Sequence, residues 1–238
     1  MNVHRLLVAA ASALVLLRPA TARAQQVAYA ASAVAELDSA TRAAVDRELG
    51  RARSRGLPVQ PLVAKVREGQ VKRAAPDRIR TAVSALAARL DSARAALGPT
   101  SNAGELVAGA DAIAAGVGMS TLRSVRAAGG VRDLSAPLGA LAQLVASGVP
   151  ARRATAMILE LLKRDTGPRD LLAFGNAVES DVGAGVPAEE SAVFRLRAIE
   201  SQGIGADRLT VTAPGMDPTA LSGRPGANTG GTTVKRKP

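Results

Sequence analysis

Ala146-Ser147-Gly148-Val149-Pro150-Ala151 is answered by Ala184-Gly185-Val186-Pro187-Ala188, at an offset of 37 residues from Gly148 to Gly185. Each copy stands between stretches whose apolar residues recur at helical spacing. Glycine suits the left-handed position just past a helix end, and the valine packs back on the helix it leaves. Proline then opens the next helix, where its missing N–H costs nothing. Gly56-Leu57-Pro58 and the degenerate Gly116-Val117-Gly118-Met119-Ser120 occupy equivalent places. The chain reads as helices joined by tight turns.

Working outward, Asp38 and Ser39 are N-cap candidates for a helix to about Arg55, with Val45, Leu49 and Ala52 on one face. A short helix carrying Leu62, Val63 and Val66 ends near Gly69, and Ala75-Pro76-Asp77 opens the longest one, closed by Gly98-Pro99. Ser101 is read as the cap of the next helix, with Leu106, Val107, Ala110 and Ile113 inward, and Ser120 as the cap of the one after. Four more helices follow, stopped by Gly148, by Asp165-Thr166-Gly167, by Gly185 and before Gly203. Leu141, Val145, Ile158, Leu161 and Val178 are the expected core positions in this half. No segment alternates apolar and polar residues between turn signals, so no sheet is expected.

The fold class is therefore all-α. Helix pairs with tight turns at periods of roughly 30 to 45 residues point to helix-turn-helix repeats stacked as an α-solenoid. The spacings here are irregular, and a compact helical bundle fits the same pattern. Gly56 to Gly69, Gly-Leu-Pro-Val-Gln-Pro-Leu-Val-Ala-Lys-Val-Arg-Glu-Gly, resembles segments of exported bacterial Ala-rich helical proteins of unassigned function. That resemblance implies export and helices, and no activity.

The beginning of the chain fits it. Met1-Asn2-Val3-His4-Arg5 is a charged opening, Leu6 to Leu17 is a 12-residue apolar run, and Ala22-Arg23-Ala24 offers small residues before Gln25. These are the parts of a secretory signal, cleaved between Ala24 and Gln25. A spanning helix needs about 20 apolar residues. The expected organisation is a signal over 1–24, a lead or linker over 25–38, a helical repeat domain over 39–203, and a tail over 204–238. The Gly, Pro and Thr content of that tail buries too little apolar surface to order it. The mature chain has no segment able to cross a membrane.

Cleavage removes His4, the one histidine, and the chain has no Cys or Trp. Metal sites built on His or Cys, cysteine nucleophiles, histidine bases and disulfides are all excluded from the mature protein. Carboxylates and hydroxyls are the remaining chemistry. Glu179 and Asp181 sit two apart on one helix and point to different sides, while Glu189 and Glu190 suit the helix dipole of a first turn. Asp165 and Asp170 offer oxygen ligands for calcium, but also serve as helix stop and helix start. Gly116-x-Gly118 and Gly203-x-Gly205 lack the third glycine and the strand of a dinucleotide site. No cofactor is implied.

Charge is the remaining signal. The formal charge is +11, falling to +8 when Arg5, Arg18 and Arg23 leave with the signal. That charge is unevenly placed: Arg42 to Arg94 holds 13 basic and 5 acidic residues, Ala95 to Gly205 is close to neutral, and the tail from Ala206 carries 5 against 2 and ends Lys235-Arg236-Lys237. Arg47, Arg51 and Arg55 share a helix face, and Lys65, Arg67, Lys72, Arg73, Arg78 and Arg80 follow on the next helix and at the start of the longest one. Such a region attracts anionic lipid or acidic polymers, export sets nucleic acid aside, and an ordinary solvated basic face gives the same pattern. The adjacent Arg152-Arg153 offers a second, smaller anion contact. The function the sequence supports is a non-enzymatic helical interaction module of the cell envelope, binding a protein partner or an anionic surface. A hydrolase using carboxylates alone and a structural protein without a specific ligand are the alternatives. Nothing in the sequence fixes the oligomeric state.

Overall fold

The computed structural model describes Val34 and residues 37–202, and among these residues it holds nine helices and no strand. They are α1 (Ser39–Ser54), α2 (Gln60–Val71), α3 (Pro76–Leu97), α4 (Ala103–Ala114), α5 (Met119–Gly129), α6 (Ser135–Ala146), α7 (Ala151–Lys163), α8 (Pro168–Gly183) and α9 (Ala188–Gln202). The expected signal, almost all of the lead and the Gly/Pro/Thr-rich tail lie outside the described residues. No described helix is long and apolar enough to cross a membrane.

The turns behave as their residues dictate. Past α6 the amide of Gly148 donates to the Val145 carbonyl at 3.0 Å and that of Val149 to the Leu144 carbonyl at 3.0 Å. Past α8 the pattern returns, Gly185 to Val182 at 3.0 Å and Val186 to Asp181 at 2.9 Å. Gly148 and Gly185 take φ of 100° and 92°, where a side chain is strained, and Val149 and Val186 are buried. These bonds satisfy carbonyls that a helix end leaves orphaned. Asp165 (φ 58°) and Arg73 (φ 50°) fill the same left-handed position without glycine.

The local details correct several expectations. Asn102, not Ser101, caps α4. Its Oδ1 accepts from the Glu105 amide at 2.9 Å, while Glu105 Oε2 accepts from the Asn102 amide at 2.9 Å. Only Asn102 has an acid three residues on to close that reciprocal box; Ser101 has Gly104. Ser120 lies inside the first turn of α5, which Gly118 precedes. Gly69 does not stop α2, which runs on to Val71. A Cβ on Gly69 would stand 2.7 Å from Ile79 Cγ1, so this glycine lets α3 approach. Leu141, Ile158, Leu161 and Val178 are fully buried, whereas Val145 is half-buried, one step around from the Leu138, Leu141 and Leu144 stripe. Val107 and Ile113 are likewise only half-buried.

The packing skips along the chain. α3 packs on α5 and α5 on α7, making one row; α4 packs on α6 and α6 on α8, making a second. Contacts of α3 with α4, α6 with α7 and α8 with α9 tie the rows together, and α1 and α2 both lean on α3. This is the connectivity of stacked helical hairpins. One continuous hydrophobic core runs between the rows, from Val45 and Leu49 to Phe174 and Val178.

Two buried carboxylates pin the stack. Glu105, 3% exposed, has Oε1 within 2.6 Å of Arg126 Nη2 on α5 and accepts from the Leu134 amide at 3.0 Å. Asp181 on α8 is held by Arg195 and Ser191 of α9.

Candidate groove and basic surface

The nine basic residues singled out by charge are spread over α1, α2, the turn after α2 and the start of α3, and several of them are ion-paired. Arg47 and Arg51 on α1 and Arg80 on α3 line a groove of about 560 Å³ together with Glu48, Thr81 and Ser84. Arg51 bonds Glu48 at 2.8 Å, and Arg55 reaches across to Asp91 of α3 at 2.8 Å. Arg80 pairs with Asp77 and donates to Thr41 Oγ1 at 2.7 Å. On α2, Lys65 and Lys72 both hold Glu68, at 2.5 and 2.6 Å. Their hydrogen bonds push the Glu68 carboxyl down to about 2. Arg67 is half-buried on the same helix. Arg73 sits in the turn after α2 and Arg78 in the first turn of α3, both exposed. Among the described residues, Arg47, Arg73 and Arg78 make no ion pair. Much of the positive charge is thus committed internally.

The other polar candidates are also engaged. Asp181 is buried against Arg195, while exposed Glu179 accepts from Gln143 Nε2 at 2.5 Å, so the two carboxylates do not meet. Asp165 pairs with Arg132 at 2.6 Å, and Arg153 with Glu189 at 3.1 Å, bridging α7 to α9. Arg152 stays exposed beside it.

A larger feature lies elsewhere. An open groove of about 1460 Å³ runs over α4 and α6, walled on one side by the α1–α2 turn and on the other by Leu172 of α8. Its floor is made of small residues: Ala103, Gly104, Ala108 and Ala114 from α4, Gly139, Ala142 and Ala146 from α6. Leu57, Pro58, Val59, Pro61 and Val107 add apolar bulk to the walls. Leu172 is 44% exposed, a large apolar side chain left at the edge. Gly139 lies beside it: a Cβ there would meet Leu172 Cδ2 at 3.7 Å, an ordinary van der Waals contact.

Polar groups are few. Gln143 donates to Asn176 Oδ1 at 2.8 Å and is thereby fixed in the floor. Arg53 and Asp111 are the charged residues of the lining. Burial pushes the Asp111 carboxyl up, against the opposing pull of Arg89 and Lys65.

Sequence reasoning assigned the inward faces of α4 and α6 and passed over their outward ones. The signal was present as a missing feature. A surface helix normally carries charge opposite its apolar stripe. α6 (SAPLGALAQLVA) has none at all, and the outward face of α4 has Asp111 alone. Comparison with protein families, with curated proteins and with solved structures returns no match to this chain.

Proposed function

We propose that this chain is an exported, non-enzymatic interaction module of the cell envelope, and that it works by seating a protein partner in the groove over α4 and α6. The observation that carries this reading is the mostly apolar, small-residue floor, with Arg53 and Asp111 as its charged lining and Leu172 exposed at its edge. Exposed contiguous apolar surface of this kind marks interaction sites in soluble proteins. The groove also exceeds the roughly 300–1,000 Å³ of small-molecule pockets. The test uses the mature chain as bait with envelope extract. A partner held by the parent and by Arg47→Gln/Arg51→Gln/Arg55→Gln, but lost from Ala108→Trp, supports the reading. A partner indifferent to Ala108→Trp, or no partner, overturns it.

Binding to an anionic surface is the second reading. Exposed Arg47, Arg73 and Arg78, without ion pairs among the described residues, favour it.

A further inference from the structure

The seam between α1 and α3 narrows the anionic-surface reading above, on which this rests, to one cleft. Arg47 and Arg51 stand one turn apart on α1 and share a face. Across the seam α3 offers Arg80, with Thr81 beside it and Ser84 one turn on. These side chains line the cleft of about 560 Å³, within the roughly 300–1,000 Å³ of small-ligand sites. A second cleft of about 360 Å³ continues it, sharing Glu48, Arg51 and Ser84. The donors therefore converge from two helices across a concave surface, which a single solvated face does not do.

The guanidiniums are also held in place. Arg80 reaches from α3 to α1, where its Nη1 donates to Oγ1 of the fully buried Thr41 at 2.7 Å. Asp77 pairs with Arg80 and Asp38 feels its charge, but neither carboxylate belongs to the lining. Arg51 gives one N–H to Glu48 at 2.8 Å. A guanidinium has five N–H donors, so both arginines keep donors for a ligand. Arg47 makes no ion pair among the described residues. Glu48 is the one carboxylate in this lining, against three arginines. A carboxylate ligand presents two oxygens in one plane. A phosphate presents its oxygens tetrahedrally and accepts from both walls at once, and arginine forks suit it. The exposed hydroxyls of Thr81 and Ser84 add neutral donors on the α3 side.

We propose that the α1–α3 cleft binds a phosphate group, between Arg47 and Arg51 on one wall and Arg80, Thr81 and Ser84 on the other. The probes are glycerol 3-phosphate in solution, followed by titration calorimetry, and vesicles containing phosphatidic acid, which carry the same phosphomonoester on a lipid. Three variants of the full chain are compared with the parent, each first shown by circular dichroism to keep its helices. Ser84→Leu fills the cleft and keeps every charge. Arg47→Gln removes the unpaired arginine, and Arg197→Gln removes an equal charge from an exposed position on α9. Arg47→Gln and Ser84→Leu are each expected to weaken binding at least about tenfold, the scale of one lost charge-assisted hydrogen bond. Arg197→Gln is expected to bind as the parent does. This pattern with glycerol 3-phosphate supports the proposal with a soluble ligand, and the same pattern on vesicles alone supports it with a lipid headgroup. Parental binding by Ser84→Leu, or equal loss in Arg197→Gln, overturns the cleft and leaves a diffuse anionic-surface contact standing. No binding of either probe also overturns it, and the surface reading falls with it if phosphatidylglycerol vesicles are not bound either.

Discussion

Arg195 grips Asp181 with two parallel hydrogen bonds, Nε to Oδ2 at 2.9 Å and Nη2 to Oδ1 at 2.6 Å, and both side chains are buried. Ser191 Oγ donates to the same Oδ2 at 2.5 Å. This fork joins α9 to the helix on which it mainly packs. Burial opposes the charge on Asp181, but Arg195, Ser191 and the Arg195 charge together outweigh it and hold the carboxyl below its ordinary 3.8. A carboxyl depressed in the folded state contributes stability that is complete above its unfolded value and lost as pH falls through the folded one. The expected outcome is a loss of α9 below about pH 4, seen by hydrogen exchange, and a flatter acid limb in Asp181→Asn. Arg195→Met, which strands the carboxylate, should cost about 3–5 kcal/mol. An unchanged acid limb in Asp181→Asn contradicts this.

Glu105 serves three donors on three segments: the Asn102 amide, the Arg126 guanidinium and the Leu134 amide. Glu105→Ala therefore opens one half of the α4 capping box, the Asn102 side chain still capping the helix, and leaves Arg126 beside an unpaired buried amide. Breaking a buried ion pair costs about 3–5 kcal/mol. Urea unfolding followed by circular dichroism should show a loss in that range. Glu68→Ala, exposed between two lysines, should show almost none.

Two glycines predict opposite signs. Gly148 holds φ at 100°, so Gly148→Ala should destabilise by about 1–2 kcal/mol. Gly50 lies inside α1 with nothing within 4 Å of a new Cβ, so Gly50→Ala should stabilise by about 0.5–1 kcal/mol. Thermal unfolding of the two single variants checks both.

The helices, their turns and most of the core were legible because each is a local matter. Gly148-Val149-Pro150 states its geometry in three residues, and Leu141 and Ile158 sit at periods that one helix determines alone. Pairings across helices were not legible. Nothing about Glu105 marks it as the partner of Arg126, and Asp91 lies 36 residues from Arg55. That is why a basic stripe counted along the sequence overstated the free charge. The groove escaped for a related reason: its floor comes from two helices that become neighbours only when hairpins stack.

The charge assignment itself yields a graded expectation. Exposed charges are screened beyond about 8 Å at physiological salt. Binding to anionic vesicles should weaken more in Arg47→Gln/Arg73→Gln/Arg78→Gln than in Arg51→Gln/Arg55→Gln, whose guanidiniums already face Glu48 and Asp91. Neither variant should shift stability by more than about 0.5 kcal/mol per site. Cosedimentation across a salt series measures it, and equal loss in both variants speaks against the distinction.

Every extensive helix interface in the stack joins elements no more than two places apart in chain order. The entropy of closing a loop grows with its length, and chains dominated by near neighbours fold in microseconds to milliseconds. Among the described residues, no extensive interface waits for the first and last helices to find each other. The terminal helix, with one extensive neighbour, can come away while the middle holds. Such a molecule erodes from its ends rather than melting at once, and it can rebuild itself from whichever hairpin survives.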